Sequence, residues 1–175
     1  MYASETKTVF VLLTERKDRF SRLCRIASKS QYTHASIGFE DQKRRFYSFL
    51  TKGGFRTESP QISAKLGAGD AKCALYKIEI AEAAYMEIKN HINTIRESAR
   101  LYKYSYIGAL LCFLKIPHKF KRKYFCSQFI AELLISSKAA DLKKRPSIFR
   151  PDDFMCEPRF QLCYKGDLMS LAAEI

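Results

Sequence analysis

Zinc-type spacing is missing from this chain. None of the six cysteines, at 24, 73, 112, 126, 156 and 163, forms a Cys-x-x-Cys pair, and no histidine lies near two of them in sequence. A metal site is therefore not expected, and no motif calls for a cofactor. Long apolar runs are also missing. The longest, Tyr106 to Leu114, is too short for a membrane span and is interrupted by Gly108. The opening residues, Met1-Tyr-Ala-Ser-Glu-Thr-Lys, lack the basic-then-apolar pattern of a secretory signal. These absences predict a soluble, cytoplasmic protein with reduced thiols, in which a disulfide framework has little support. No internal repeat, low-complexity tract or linker divides the sequence, so residues 1–175 are expected to fold as a single domain. Hydrophobic residues, at 47%, are abundant enough for a packed core.

Acidic residues are scarce, 18 against 31 Lys and Arg, and the net charge is +13. The imbalance is uneven: residues 101–150 hold eleven Lys and Arg against Glu132 and Asp141. The densest run, Lys115-Ile-Pro-His-Lys-Phe-Lys-Arg-Lys123, stands just before Cys126. Such a field suits an acidic substrate or an anionic membrane surface, and it is also what a merely solvated loop looks like. No RNA-binding or helix-turn-helix signature is present, so a specific nucleic-acid partner is not expected.

Periodicity supplies the elements. Thr8 to Leu13 reads as a buried strand. Asp18 caps a basic helix to about Ser28, with Phe20, Leu23, Cys24 and Ala27 on one face. From Tyr32 to Glu40, alternation sets His34, Ser36 and Gly38 on one side and Ala35, Ile37 and Phe39 on the other. A charged turn at Asp41 to Arg44 leads to a hairpin partner at 45–50, and Gly53, Gly54 and Pro60 mark a long connection. Ala74 to Ile80 is another strand, and Ala81 to Leu101 a long amphipathic helix with His91 at its solvent edge. Tyr106 to Leu114 suggests a short, well-buried helix. Pro146 to Pro158 reads as loop with a turn of helix at Asp152, and a last strand at Phe160 to Tyr164 ends at Gly166. The order predicts an α+β domain.

The chemistry concentrates in Tyr124-Phe-Cys-Ser-Gln-Phe-Ile-Ala-Glu-Leu-Leu134. Phe125, Phe129, Ile130, Leu133 and Leu134 recur at helical spacing, which puts Cys126 on the first turn. Unpaired backbone N–H groups and the positive end of the helix dipole favour thiolate there. Free cysteine is also among the most buried residue types, so the helix pattern alone does not separate a nucleophile from a core filler. A helix-start cysteine and a strand histidine are the two parts that thiol acyl transfer requires. Cys24, Cys112 and Cys163 fall on apolar-patterned segments and read as core. Ser36 reads as strand filler, Gln128 as a surface amide, His118 as solvated, and Tyr32 as either lining a cleft or packing.

Two stretches carry a resemblance. Tyr32-Thr-His-Ala-Ser-Ile-Gly-Phe, followed by Phe46-Tyr-Ser-Phe and Gly53-Gly-Phe, is similar to the histidine half of circularly permuted papain-like proteins of the NlpC-like superfamily of cysteine hydrolases. Tyr124-Phe-Cys-Ser-Gln-Phe-Ile-Ala resembles their nucleophile helix, and Arg150-Pro-Asp-Asp-Phe with Phe160-Gln-Leu-Cys-Tyr-Lys-Gly166 resembles the closing segment of the YiiX-like bacterial group. The resemblance implies a permuted papain-like fold, an antiparallel sheet packed against a nucleophile-bearing helix, with His34 preceding Cys126. It makes Cys126 the nucleophile and His34 the general base and acid of a hydrolase or acyltransferase acting on an amide, ester or thioester. The residue that orients the imidazole falls at Ser48, with Tyr47 as the alternative. Neither is a carboxylate, and Glu40 compensates only if the hairpin brings it close. The implied substrate is a peptide, an acyl-amide or a lipid. The rival expectation is a non-catalytic binding module that uses its basic face for anionic lipid or acidic partners; the lack of an obvious carboxylate beside His34 is its best support. The oligomeric state is not legible.

Overall fold

The computed structural model describes residues 5–42 and 44–174; Met1 to Ser4, Lys43 and Ile175 fall outside it, as do the side chains of Ala27 and Ser28. The Ala27 expected on the inner face of the first helix is therefore outside the described side chains. Strand β1 (Thr6–Thr14) sends Val9, Val11 and Leu13 to one side of a sheet and Phe10 and Leu12 to the other. Asp18 caps α1 (Arg19–Ser28), its carboxylate accepting from the Ser21 N–H at 3.0 Å. Strands β2 (His34–Phe39) and β3 (Phe46–Leu50) pair antiparallel, with Gly38 opposite Phe46. Only glycine fits there without a shift, since a Cβ on Gly38 stands 2.8 Å from the Phe46 ring.

The long connection expected after Gly53 is corrected. Gly53 and Gly54 take positive φ, 97° and 67°, and turn the chain into a strand, β4 (Gly54–Glu58), that pairs with all of β3. A short α2 (Pro60–Ser63) runs into a π-helical turn at Ala64–Ala68. Then come β5 (Lys72–Ala81), α3 (Glu82–Glu97), β6 (Lys103–Tyr104), α4 (Tyr106–Phe113), β7 (Lys123–Tyr124) and α5 (Cys126–Ser136). Two 3-10 turns, at Pro146–Ile148 and Pro151–Cys156, precede β8 (Gln161–Asp167) and α6 (Leu168–Glu174). The last strand thus passes through Gly166, and a helix follows it.

The result is a mixed α/β fold. Its six-stranded sheet, in the order β4-β3-β2-β1-β5-β8, is antiparallel throughout, while β6 and β7 form a separate parallel pair. The larger core lies between one sheet face and helices α3 and α5, closed at one end by Phe149, Phe154 and Phe160. A smaller one, Leu12, Phe46, Cys73 and Leu75, is covered on the other face by Leu168 and Leu171 of α6. Helix α5 buries more than one face: Cys126 to Ala131, Leu133 and Leu134 are all inside. Phe129 packs edge-on against Phe49 and Phe55 at 5.1 and 5.8 Å, locking the Cys126-bearing helix to the β3–β4 hairpin.

Three burial expectations are corrected. Helix α4 exists but is not well buried, because Ile107, Leu110 and Leu114 are more than half exposed while Gly108, Ala109 and Cys112 face inward. Leu23 points outward from α1, at 64% exposure, because Phe20 and Ser21 take the inner side. Cys163 is exposed on the edge strand β8 and Cys24 is half-buried, so of the three presumed core thiols only Cys112 is fully inside.

Candidate active site

Phe125 is extended and buried, and the chain turns helical at Cys126. No side chain caps α5, so its first-turn N–H groups are available to other acceptors. The N–H groups of Ser127 and, from the neighbouring strand, Ala35 donate to the sulfur. Ser127 Oγ donates to the Phe149 carbonyl at 2.7 Å, tying the helix start to the 3-10 segment. His34, the first residue of β2, hydrogen-bonds the Cys126 thiol. Its Nε2 is held by both oxygens of Glu58, at 2.9 and 3.0 Å, which leaves Nδ1 for the sulfur. Cys126 and His34 are 4% and 3% exposed, so neither charge is dissipated by bulk water.

Electrostatics follow from this line of three groups. Burial pushes the Cys126 thiol up, but the His34 hydrogen bond and charge, with the two backbone donors, outweigh it and hold the thiol below its ordinary value. Burial lowers the His34 imidazole, yet the Glu58 carboxylate and the sulfur raise it to about 9. Burial raises Glu58, and the His34 cation with the more distant Arg16 brings it below the usual carboxylate range. Arg16 Nη1 stands 3.8 Å from Glu58. At neutral pH His34 is therefore held as imidazolium against the Glu58 carboxylate, and the balance at Cys126 is shifted toward thiolate.

The approach to His34 is pinned from outside the sheet. Asp152 accepts from the N–H groups of Gln31 and Tyr32 at 2.9 and 3.0 Å, and the Thr33 N–H donates to the Thr14 carbonyl. Thr33 Oγ1 in turn accepts from the Arg16 N–H. The turn expected at Asp152 is thus the clamp that fixes the histidine strand's entry.

Glu58 is the residue that sequence reading missed, and Ser48 is the corresponding correction. Ser48 is fully buried, but its hydroxyl donates to the Ala35 carbonyl at 2.6 Å instead of meeting His34. Tyr47 donates to Gln42 and Glu40 accepts from the Thr8 N–H, so neither orients the imidazole. Replacing Ser48 with alanine is expected to cost about 1 kcal/mol in urea denaturation, with the reactivity of Cys126 unchanged. A large loss of thiol reactivity in that variant restores Ser48 to the site.

The remaining candidates sort plainly. Gln128 is buried, not a surface amide, and donates to Glu132 at 3.0 Å. Ser36 is buried with no partner for its hydroxyl among the described residues. Tyr32 is buried and lines the cleft. His118 is exposed, packed against Phe120 at 4.4 Å, and His91 is exposed on α3. Among the described residues no three His, Cys, Asp or Glu side chains gather to hold a metal ion.

Cys126 opens into a narrow, mostly apolar cleft of about 40 Å³ between α1 and α4. Phe20 and Cys24 of α1 form one wall, and Ala109 and Phe113 of α4 the other. Tyr104 borders it too: burial first, then the nearby sulfur, hold its phenol far above the ordinary value, so a protonated donor stands near the thiolate. The arrangement can form a nucleophile, return a proton and receive an apolar group beside it. A scan against protein-family models and a search of curated proteins find no match to this chain.

Proposed function

We propose that this chain is a thiol-dependent hydrolase or acyltransferase of the circularly permuted papain-like kind, acting on an amide, ester or thioester. The observation that carries the reading is His34 held between the Cys126 thiol and the Glu58 carboxylate. The Cys126 thiolate attacks the substrate carbonyl carbon, forming a C–S bond while the carbonyl electrons move to oxygen. First-turn N–H groups of α5 and the protonated Tyr104 are the donors available to that oxyanion. Collapse breaks the bond to the leaving group, which takes its proton from His34 and leaves a Cys126 thioester. His34, now neutral, deprotonates water or another acceptor, whose attack releases the acyl group and regenerates the pair. The apolar walls of the cleft favour a peptide, acyl-amide or lipid substrate with a hydrophobic acyl part. The binding-module alternative drew on the want of a carboxylate beside His34, and Glu58 removes that support.

Iodoacetamide alkylation followed residue by residue in a mass spectrometer tests the reading. The exposed Cys156 and Cys163 serve as internal reference thiols. Cys126 is expected to react at a pH below that required by Cys163, whose thiol burial pushes up. In His34→Ala this advantage is expected to vanish. Equal pH profiles for Cys126 in the two proteins would falsify the proposed activation.

A further inference from the structure

The cleft that reaches Cys126 opens between two helices whose outer faces are unusual for a protein surface. On α4 the usual arrangement is inverted: Gly108, Ala109 and Cys112 face inward, while Ile107, Leu110 and Leu114 face outward at 62%, 56% and 60% exposure. Ile116, just beyond the helix, is 48% exposed. Helix α1 presents Leu23 and Ile26, at 64% and 76%, on the same helical face as Arg19 and Arg22. Phe20 and Tyr106 touch at 5.3 Å, so the two helices meet at the cleft. Exposed aliphatic side chains grouped in this way mark an interaction surface.

Charge selects the partner. No Asp or Glu occurs in residues 19–39 or 98–131, the stretches that contain both helices and the loop between α4 and α5. Those stretches hold Arg19, Arg22, Arg25 and Lys29 on one side, and Lys115, Lys119, Lys121, Arg122 and Lys123 near α4. Arg25 and Lys119 are spent on Glu15 and Glu132. Arg19, Arg22, Lys115, Lys121, Arg122 and Lys123 make no ion pair among the described residues, and all are exposed or nearly so. Outward aliphatic side chains interleaved with unpaired cations match a bilayer interface, where hydrocarbon takes the Ile and Leu and anionic headgroups take the Arg and Lys. A nucleic acid satisfies only the charges. No helix among the described residues is long and apolar enough to cross a membrane, so this contact lies on the surface.

We propose that the α1–α4 face docks on an anionic lipid bilayer, with Ile107, Leu110, Leu114, Leu23 and Ile26 entering the interface and the surrounding Arg and Lys meeting headgroups. Docking in this orientation turns the mouth of the Cys126 cleft toward the lipid. That use of the face rests on the reading of Cys126 as nucleophile; the docking itself does not.

Co-sedimentation of the full chain with phosphatidylcholine vesicles, with and without phosphatidylserine, tests it. The Cys126→Ala protein is used alongside wild type so that turnover cannot alter the lipid. Both are expected to bind the serine-containing vesicles, and added salt to release them. Each basic residue at an anionic surface raises partitioning about fivefold. Arg19→Ser with Arg22→Ser is therefore expected to weaken binding by roughly 25-fold, and Ile107→Ser with Leu110→Ser by at least about tenfold. Unchanged thermal unfolding of these surface variants checks that they fold. Equal binding to neutral and anionic vesicles, or binding untouched by Ile107→Ser with Leu110→Ser, overturns the proposal. So does a dimer in sedimentation velocity that the same pair of substitutions dissolves, because a second copy then covers the face. Vesicle binding without any activation of Cys126 leaves the docking standing and removes the enzymatic reading, so the two failures are distinguishable.

Discussion

Glu58→Gln is expected to lower acyl-transfer turnover roughly 10³–10⁴-fold with almost no change in side-chain volume. The carboxylate that raises His34 to about 9 is lost, so the imidazolium form is no longer favoured at neutral pH and the Cys126 thiol returns toward its ordinary range. A glutamine also presents either an oxygen or an NH₂ to Nε2, and the second orientation selects the wrong tautomer for taking a proton from the thiol. Two readouts check this. Burst release from an activated aryl ester reports the acylation step, and the pH profile of Cys126 alkylation reports the thiol. Both are expected to move together toward alkaline pH. A normal profile in Glu58→Gln removes Glu58 from the site and leaves His34 acting alone.

Cys126→Ala is expected to abolish the covalent intermediate altogether, a loss on the order of 10⁴-fold or more in turnover, since no other group can carry the acyl chain. The thioester adduct that mass spectrometry detects in wild type should be missing. His34→Ala is expected to be nearly as damaging to turnover, and far more damaging to stability. It leaves Glu58 inside the protein with only Arg16, 3.8 Å away, to offset its charge. Removing one partner from a buried pair typically costs about 3–5 kcal/mol, which denaturant titration measures directly. Cys126→Ala leaves the His34–Glu58 pair intact and should unfold close to wild type. A His34→Ala protein as stable as wild type contradicts the buried ion pair.

The pH dependence of stability separates the same groups. His34 is raised from 6.5 to about 9, so its contribution is complete below pH 6.5 and is lost as pH climbs through about 9. Cys126 is lowered from 9.0, so its contribution is complete above that value and is lost as pH falls through the depressed one. Where the two windows overlap below about pH 9, these slopes oppose each other. The loss of thermal stability with rising pH is therefore expected to be shallower than His34 alone would give, while alkylation of Cys126 rises on the acid side of the ordinary thiol range.

Periodicity placed Cys126 at a helix start and His34 on an alternating strand, but that the two meet came only from the resemblance of their segments to known cysteine hydrolases. Glu58 was not legible. It lies in Gly-Phe-Arg-Thr-Glu, where a charged residue after two glycines reads as solvated loop, and only Phe55 marks the strand. The signal available was the Gly-Gly itself, which permits the positive φ of a reversal and stands just past Thr51 and Lys52, after five strand residues. Ser48 occupied a plausible strand position, but sequence cannot report that a hydroxyl is already committed to the carbonyl of Ala35. Helix α4 was misjudged for a different reason. An apolar run announces that hydrophobic side chains are present, not which way they point, and the small residues Gly108, Ala109 and Cys112 took the inward positions. In α5 the opposite occurred, and polar Ser127 and Gln128 were drawn inside with their hydrogen bonds satisfied.

The order of the parts along the chain has a consequence for synthesis. His34 and Glu58 leave the ribosome first, Cys126 emerges 92 positions after the histidine, and the Asp152 clamp comes later still. The hydrogen bonds that Asp152 accepts from Gln31 and Tyr32 therefore close last, so on the proposed reading activation of Cys126 is expected to come only after the residues around 152 have been made.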